Sequence, residues 1–217
     1  MRRTYRTLYR LGIVPWDRPG VPAPVIDIVE GPAPLPPAQA VDLGCGTGIQ
    51  ARYLAEHGWS VTALDYTPEA ITAASRRDPG SRVVWRVADV TEPDAVDPQA
   101  QLAGATSLLL DNGCLHGIPA ERRQGWATTV NTLAAPEAIL LLRAAPRRRR
   151  GIGPRGIDEG DVTALLADRW RPVTAPGPNW FSYALVPPAA VPIADQVRDL
   201  PDPVTEAPYR SDPVDPG

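Results

Sequence analysis

The run Ala40-Val41-Asp42-Leu43-Gly44-Cys45-Gly46-Thr47-Gly48 constrains this chain more than any other. Apolar residues around a single acid read as a buried strand, and the glycines that follow read as a tight turn into a helix. A second acid, Asp65, closes the next apolar run, Val61-Thr62-Ala63-Leu64. Strand, glycine turn, helix and a second strand ending on an acid make the opening unit of a parallel sheet. Glycines let the backbone approach a ligand closely, and a carboxylate about 20 residues further on suits a ribose diol. The pair marks a nucleoside-binding edge.

The glycine spacing narrows the ligand. The dinucleotide fingerprint is G-x-G-x-x-G and seats a pyrophosphate on a helix N-terminus. Here the spacing is G-x-G-x-G, with Asp42 two residues ahead of the first glycine. A carboxylate there repels a pyrophosphate and suits a ligand with an ammonium group. The segment Val41 to Gly48 resembles the first motif of the class I S-adenosylmethionine (SAM) dependent methyltransferases. The resemblance implies an α/β, Rossmann-like class I methyltransferase fold, with SAM as cofactor and S-adenosylhomocysteine (SAH) as product.

The rest of the chain is compatible with that fold. Tyr5, Leu8 and Tyr9 lie at helical spacing over 2–11, and a second short helix is expected over 23–30. Strands are expected at 39–43, 60–64, 82–87, 106–110 and 138–143. Helices at 48–57, 68–77, 120–133 and 158–168 alternate with them or follow. Thr67 is placed to cap the second of these, with Pro68 at its first position. The runs 170–174 and 179–186 have no helix between them. The pattern predicts a seven-stranded, mostly parallel sheet with an antiparallel edge hairpin and helices on both faces. The expected organisation is a helical lid segment over 1–37, a SAM-binding core over 38–186 and a tail over 187–217. The tail is rich in proline and acids, which suits a mobile or surface-draped segment; a strap over the substrate mouth is the alternative.

Ligands of open parallel sheets bind beyond the carboxyl ends of the strands. The first strand end supplies Asp42, Gly44, Cys45, Gly46 and Gly48, facing the amino-acid part of the cofactor. The second supplies Asp65, as acceptor for both ribose hydroxyls, and Tyr66. By resemblance, Asp89 after the third strand accepts from the adenine amino group, and Val90 packs on the ring. The fourth strand end, Asp111-Asn112-Gly113-Cys114-Leu115-His116, is where the methyl group meets its acceptor. It is similar to the Asp-Arg-Gly-Cys-x-His run of thiopurine methyltransferase-like and tellurite-resistance-like small-molecule methyltransferases. Asn112 stands where arginine is common in that run. Those relatives also carry a Trp-Asp before the first strand, matched here by Trp16-Asp17. Two readings of Trp16 stand: a lid over the cofactor, or a pin for the N-terminal helix.

His116 is the general-base candidate, because an imidazole ionises near neutral pH. A histidine satisfied by a backbone carbonyl is the competing reading. His57 ends a helix, where a cap interaction suffices. Cys45 needs only to be small, and Cys114 is a reactive thiol or a small buried residue. Metal and disulfide chemistry have little to build on, with two cysteines and two histidines in 217 residues. All 22 basic residues are arginine, which removes lysine Schiff-base chemistry. A net charge of −3 gives no global nucleic-acid footprint. The run Arg147 to Arg150 reads as a solvated loop, an anion-recruiting rim or, least well supported, an RNA contact. No apolar run reaches the roughly 20 residues of a bilayer span, so no membrane association and a cytoplasmic location are expected. The expected activity is SAM-dependent methylation of a small molecule, anionic or aromatic, on oxygen first and on sulfur or nitrogen second. The alternatives are a non-methylating reaction on the same fold and a non-catalytic SAM-binding subunit. Substrate and oligomeric state are not encoded in any motif.

Overall fold

The computed structural model describes residues 2–10, 14, 20–80, 82–147, 156–173 and 180–185. Its centre is a seven-stranded sheet. Five strands run parallel: β1 (Gln39–Leu43), β2 (Ser60–Asp65), β3 (Val83–Val87), β4 (Thr106–Asn112) and β5 (Ala134–Arg143). β7 (Trp180–Leu185) pairs antiparallel with β5, and β6 (Trp170–Val173) pairs antiparallel with β7. The order β3-β2-β1-β4-β5-β7-β6 is the expected mostly parallel sheet with an antiparallel hairpin at one edge. The strand order reverses between β1 and β4, so a crevice opens above their carboxyl ends.

Strand alternation sorts the core into two faces. Val41, Leu43, Leu64, Leu109, Leu140 and Leu142 point to one side, and Ala40, Val61, Ala63, Leu108, Leu110 and Leu141 to the other. The first face packs under α6 (Arg123–Leu133) and α7 (Glu159–Leu166), through Trp126, Val130, Val162 and Leu166. The second packs under α2 (Ala23–Glu30) and α3 (Ile49–Glu56), through Val25, Ala51 and Leu54. α4 (Pro68–Arg76) packs beside β2 and β3, and α1 (Arg2–Arg10) lies against α4. The ends of α2 and α3 are tied by Glu30, which accepts from the Tyr53 hydroxyl and lies 3.2 Å from His57 Nε2. β3 is an outer strand, with Val84 and Val87 about half exposed.

Several boundaries differ from expectation for local reasons. β5 begins at Ala134, four residues early, because a strand crosses Pro136 and Glu137 through an irregularity. Glu137 adopts φ 66° there, and the pairing register shifts between Thr106 and Leu108. The segment expected as one helix over 120–133 is a 3₁₀ turn, Ala120–Arg122, followed by α6. A short α5 (Pro93–Val96) was not foreseen. Thr67 occupies the N-cap of α4 without a side-chain cap bond; its N–H instead donates to Asp65 Oδ1 at 2.8 Å. Among the described residues, no helix is long and apolar enough to cross a membrane. Trp16, Arg148 to Arg150 and the tail 187–217 lie outside the described residues.

Gly125 lets α6 sit directly on the loop after β3: a Cβ there would lie 2.2 Å from the Thr91 carbonyl oxygen. Backbone cannot retreat as a flexible side chain can, so Gly125→Ala is expected to cost about 1–3 kcal/mol and lower the melting temperature by roughly 3–10 °C. Thermal denaturation followed by circular dichroism measures it, and an unchanged midpoint would refute the tight seat.

Candidate functional site

β1 runs straight into the glycine turn, and its three glycines all have positive φ. The turn is held from the neighbouring strand: Gly44 N–H and Cys45 N–H both donate to the Leu64 carbonyl, at 2.8 and 2.9 Å. Two glycines are also required by what touches them. A Cβ at Gly48 would meet the Trp85 ring at 2.2 Å. Trp85 reaches across from β3, with its indole N–H donated to the buried Asp78 at 3.1 Å. A Cβ at Gly44 would meet Cys114 Cβ and Sγ at 2.7 and 2.8 Å. That contact brings the β4 loop against the turn. Cys114 therefore packs rather than reacts: burial pushes its thiol well up, as it does that of Cys45.

Three carboxylates converge on this end of the sheet. Asp42, Asp65 and Asp111 are all buried, and no ion pair among the described residues engages them. Asp65 is anchored by the turn itself, its Oδ2 accepting from Gly46 N–H at 3.1 Å and its Oδ1 from Thr67 N–H. Burial raises its pKa, and the Thr67 and Gly46 donors oppose the rise. Asp42 is pushed up to about 7, by burial first and then by the charges of Asp111 and Asp65. Its Oδ2 is buried without a hydrogen-bond partner. An orphaned buried carboxylate oxygen is costly, and a cationic N–H donor from a ligand is what relieves it.

Asp111 is differently employed. Its Oδ1 accepts from Cys114 N–H at 2.7 Å, and its Oδ2 from Leu115 N–H at 3.0 Å and from the Trp126 indole N–H at 2.9 Å. It is 0 % exposed, and burial raises its pKa to about 7 against those donors. Asp111, expected at the cofactor, is enclosed on all sides here and serves as the clasp of the β4 loop. Asn112 ends β4, with its Oδ1 3.5 Å from Arg143 Nη1 on the paired end of β5.

Asp89 and Val90 follow β3. Asp89 Oδ1 accepts from Thr91 N–H at 3.0 Å, and Oδ2 from Arg122 Nη1 at 3.1 Å. Val90 is 5 % exposed and belongs to the core beneath Trp126, which leaves its side chain little face for an adenine ring. Tyr66 is half-buried beside Asp65. His116 sits in the 3₁₀ turn Leu115–Gly117, with Nδ1 accepting the Ala145 N–H at 3.2 Å. A neutral ring held in that way carries its proton on Nε2. The general-base expectation thus meets a ring whose Nδ1 already accepts the Ala145 N–H.

Tyr9 was missed as a site residue. Its hydroxyl would lie 3.0 Å from a Cβ at Gly46, so α1 reaches over the glycine turn. Two ion pairs hold α1 down, Arg10 to Glu69 at 2.7 Å and Arg6 to Glu69 at 3.4 Å. The helical spacing of Tyr9 was legible, but the surface it faces was not. The alternation of Val83, Trp85 and Val87 marks a strand without showing that Trp85 meets the glycine turn, and Arg122 has no sequence signal beyond its type.

Residues 40–135 match the family described as a methyltransferase domain. The chain is 29 % identical over 136 residues to the 2-heptyl-1-hydroxyquinolin-4(1H)-one methyltransferase of Mycobacteroides abscessus, covering 60 % of this chain and 57 % of that protein. It is 29 % identical over 138 residues to the ubiquinone biosynthesis O-methyltransferase of Xylella fastidiosa, covering 55 % and 56 %. The chain thus spans about half the length of the curated relatives it matches. Its fold is shared with the Burkholderia thailandensis 1,6-didemethyltoxoflavin-N1-methyltransferase, solved with S-adenosylhomocysteine, at TM-score 0.65 and 23 % identity over 86 % of this chain and 87 % of that one. The glycine turn, the orphaned Asp42 and these likenesses agree: residues 40–135 match a methyltransferase domain, and the chain has the fold of the class I S-adenosylmethionine-dependent methyltransferases.

Proposed function

We propose that this chain methylates a small molecule from SAM, with oxygen as the first acceptor. The carrying observation is the buried, partnerless Oδ2 of Asp42 beside two further buried acids. Asp42 would take the ammonium of the cofactor, Asp65 the ribose hydroxyls and Asp89 the adenine amino group. α1 would cover the cofactor as a lid, with Tyr9 over Gly46 and the two arginines on Glu69 as its fastening. SAM supplies an already activated methyl group, so the protein's task is alignment and exclusion of water. One relative's name specifies O-methylation and another a hydroxyquinolinone, which supports a hydroxyl on a small aromatic.

The acceptor side needs no strong base when the hydroxyl ionises readily. With Nδ1 on the Ala145 N–H, His116 would shape the acceptor side rather than remove the acceptor's proton. Removing a general base costs about 10²–10⁴-fold. His116→Ala is instead expected to lower kcat by no more than about tenfold. The pH–rate profile is expected to follow the acidity of the acceptor across a series of phenols. A loss of three decades, with a vanished basic limb, would restore His116 as the base.

Activity itself is tested by incubating the protein with SAM and a panel of hydroxyquinolones, phenols and thiols, reading SAH by mass spectrometry. Acceptor-dependent SAH is expected. Tight SAM binding with no SAH from any acceptor would overturn methyl transfer.

The carboxylates set a pH dependence whose sign can be worked out. In the ligand-free protein Asp42 is raised from 3.8 to about 7, so between those values it holds a proton that the unfolded chain has lost. Its stabilising share is complete below 3.8 and disappears as pH rises through about 7. An ammonium ligand reverses the preference, because it favours the charged carboxylate. SAH affinity is therefore expected to be full above pH 7 and to weaken by up to about tenfold per unit below it, with proton release on binding. Calorimetry in buffers of different ionisation enthalpy reads both quantities, and Asp42→Asn should flatten the profile. An equally steep profile in that variant would remove Asp42 from the ammonium site.

A further inference from the structure

We infer that Arg122 aims the Asp89 carboxylate, and through it sets a preference for a 6-amino over a 6-oxo purine in the nucleoside site. The inference rests on the reading of Asp89 as the acceptor for the adenine amino group. Asp89 Oδ1 is turned back on its own loop, accepting from Thr91 N–H at 3.0 Å and from the Thr91 hydroxyl at 2.7 Å. Oδ2 accepts from Arg122 Nη1 at 3.1 Å, while Arg122 Nη2 donates to Glu92 Oε1 at 2.8 Å. One guanidinium thus bridges two acids of the same loop. A planar fork held at both prongs has little rotational freedom, so it fixes the oxygen it touches. A carboxylate oxygen has two lone pairs, and the direction of the second follows from where the first is engaged.

Arg122 reaches this loop from a distant part of the chain. It closes the 3₁₀ turn Ala120–Arg122, with its N–H donated to the Pro119 carbonyl at 2.9 Å, directly before α6. Three residues later Gly125 seats the helix on the Thr91 carbonyl. The backbone seat holds the loop independently of the fork. Loss of the guanidinium would release the aim of Asp89 while the loop stays in place, and this separates a positioning role from a merely structural one. A 6-amino group donates to a carboxylate, whereas a 6-oxo group presents an acceptor to an acceptor and leaves both oxygens without a proton between them.

The test is a ratio, the affinity for SAH over that for S-inosylhomocysteine, measured by calorimetry on the full chain. Wild type is expected to favour SAH by about 10–100-fold. Arg122→Gln should reduce the ratio at least about fivefold, and Arg122→Lys should fall between, because one ammonium cannot hold both acids as a fork does. An Arg122→Gln variant that keeps the wild-type ratio, even with both affinities lowered together, overturns the inference. If thermal denaturation shows that variant unfolded, the lysine variant decides, and a wild-type ratio in it is equally fatal. Asp89→Ala tests the underlying reading separately. A ratio retained without the carboxylate, or a wild-type ratio near one, removes the adenine role of Asp89 and this inference with it. A ratio lost in Asp89→Ala but kept in Arg122→Gln overturns the role of Arg122 alone.

Discussion

Three carboxylates buried at the ends of adjacent strands are the constraint around which this molecule is arranged. Burial opposes the ionisation of all three, the charges of the other two add to it at Asp42, and each is handled differently. Asp111 is quenched from within, by backbone amides and the Trp126 indole. Asp65 is held by the amides of the glycine turn and of the start of α4. Asp42 is left with an unsatisfied oxygen. The scaffold thus supplies donors to two of the three and leaves the third with an open buried acceptor, at a cost to the folded protein.

The same acids explain how the loops around the site are tied. Asp111 closes the β4 loop so that Cys114 lands on Gly44, and Trp126, which reaches Asp111, also fills the core beneath α6. Asp78, on the far side, holds Trp85 against Gly48. The glycine turn is therefore clasped between a thiol from β4 and an indole from β3. Its conformation is a property of three strands and not of its own eight residues.

Much of this was legible in the sequence. Alternating apolar runs and the closing hairpin defined a mostly parallel sheet with an antiparallel edge, and Asp42, Asp65 and the three glycines lie close in space. What escaped reading was of two kinds. Local conformational exceptions, such as strand β5 running through Pro136 and Glu137, break the pattern that a strand is expected to follow. Long-range partners, such as Tyr9 for Gly46, Trp85 for Gly48 and Arg122 for Asp89, have no periodic signature because they are set by packing between distant elements. Asp111 and Asp42 look alike in sequence. Only the count of donors around each tells a clasp from an open acceptor.

The outer strand β3 carries a consequence of another sort. It presents Val84 and Val87 about half exposed beside an unpaired row of backbone groups, the arrangement that invites edge-to-edge association. Arg82 and Arg86 alternate with these valines, and Arg86 is drawn aside to the Val96 carbonyl. Arg82, exposed at the strand's entrance, is thus the charge best placed to keep the edge unattractive to a second chain. The same short strand thus faces two ways: Trp85 presses on the glycine turn, while Arg82, Val84 and Val87 set how the protein meets its own copies at high concentration.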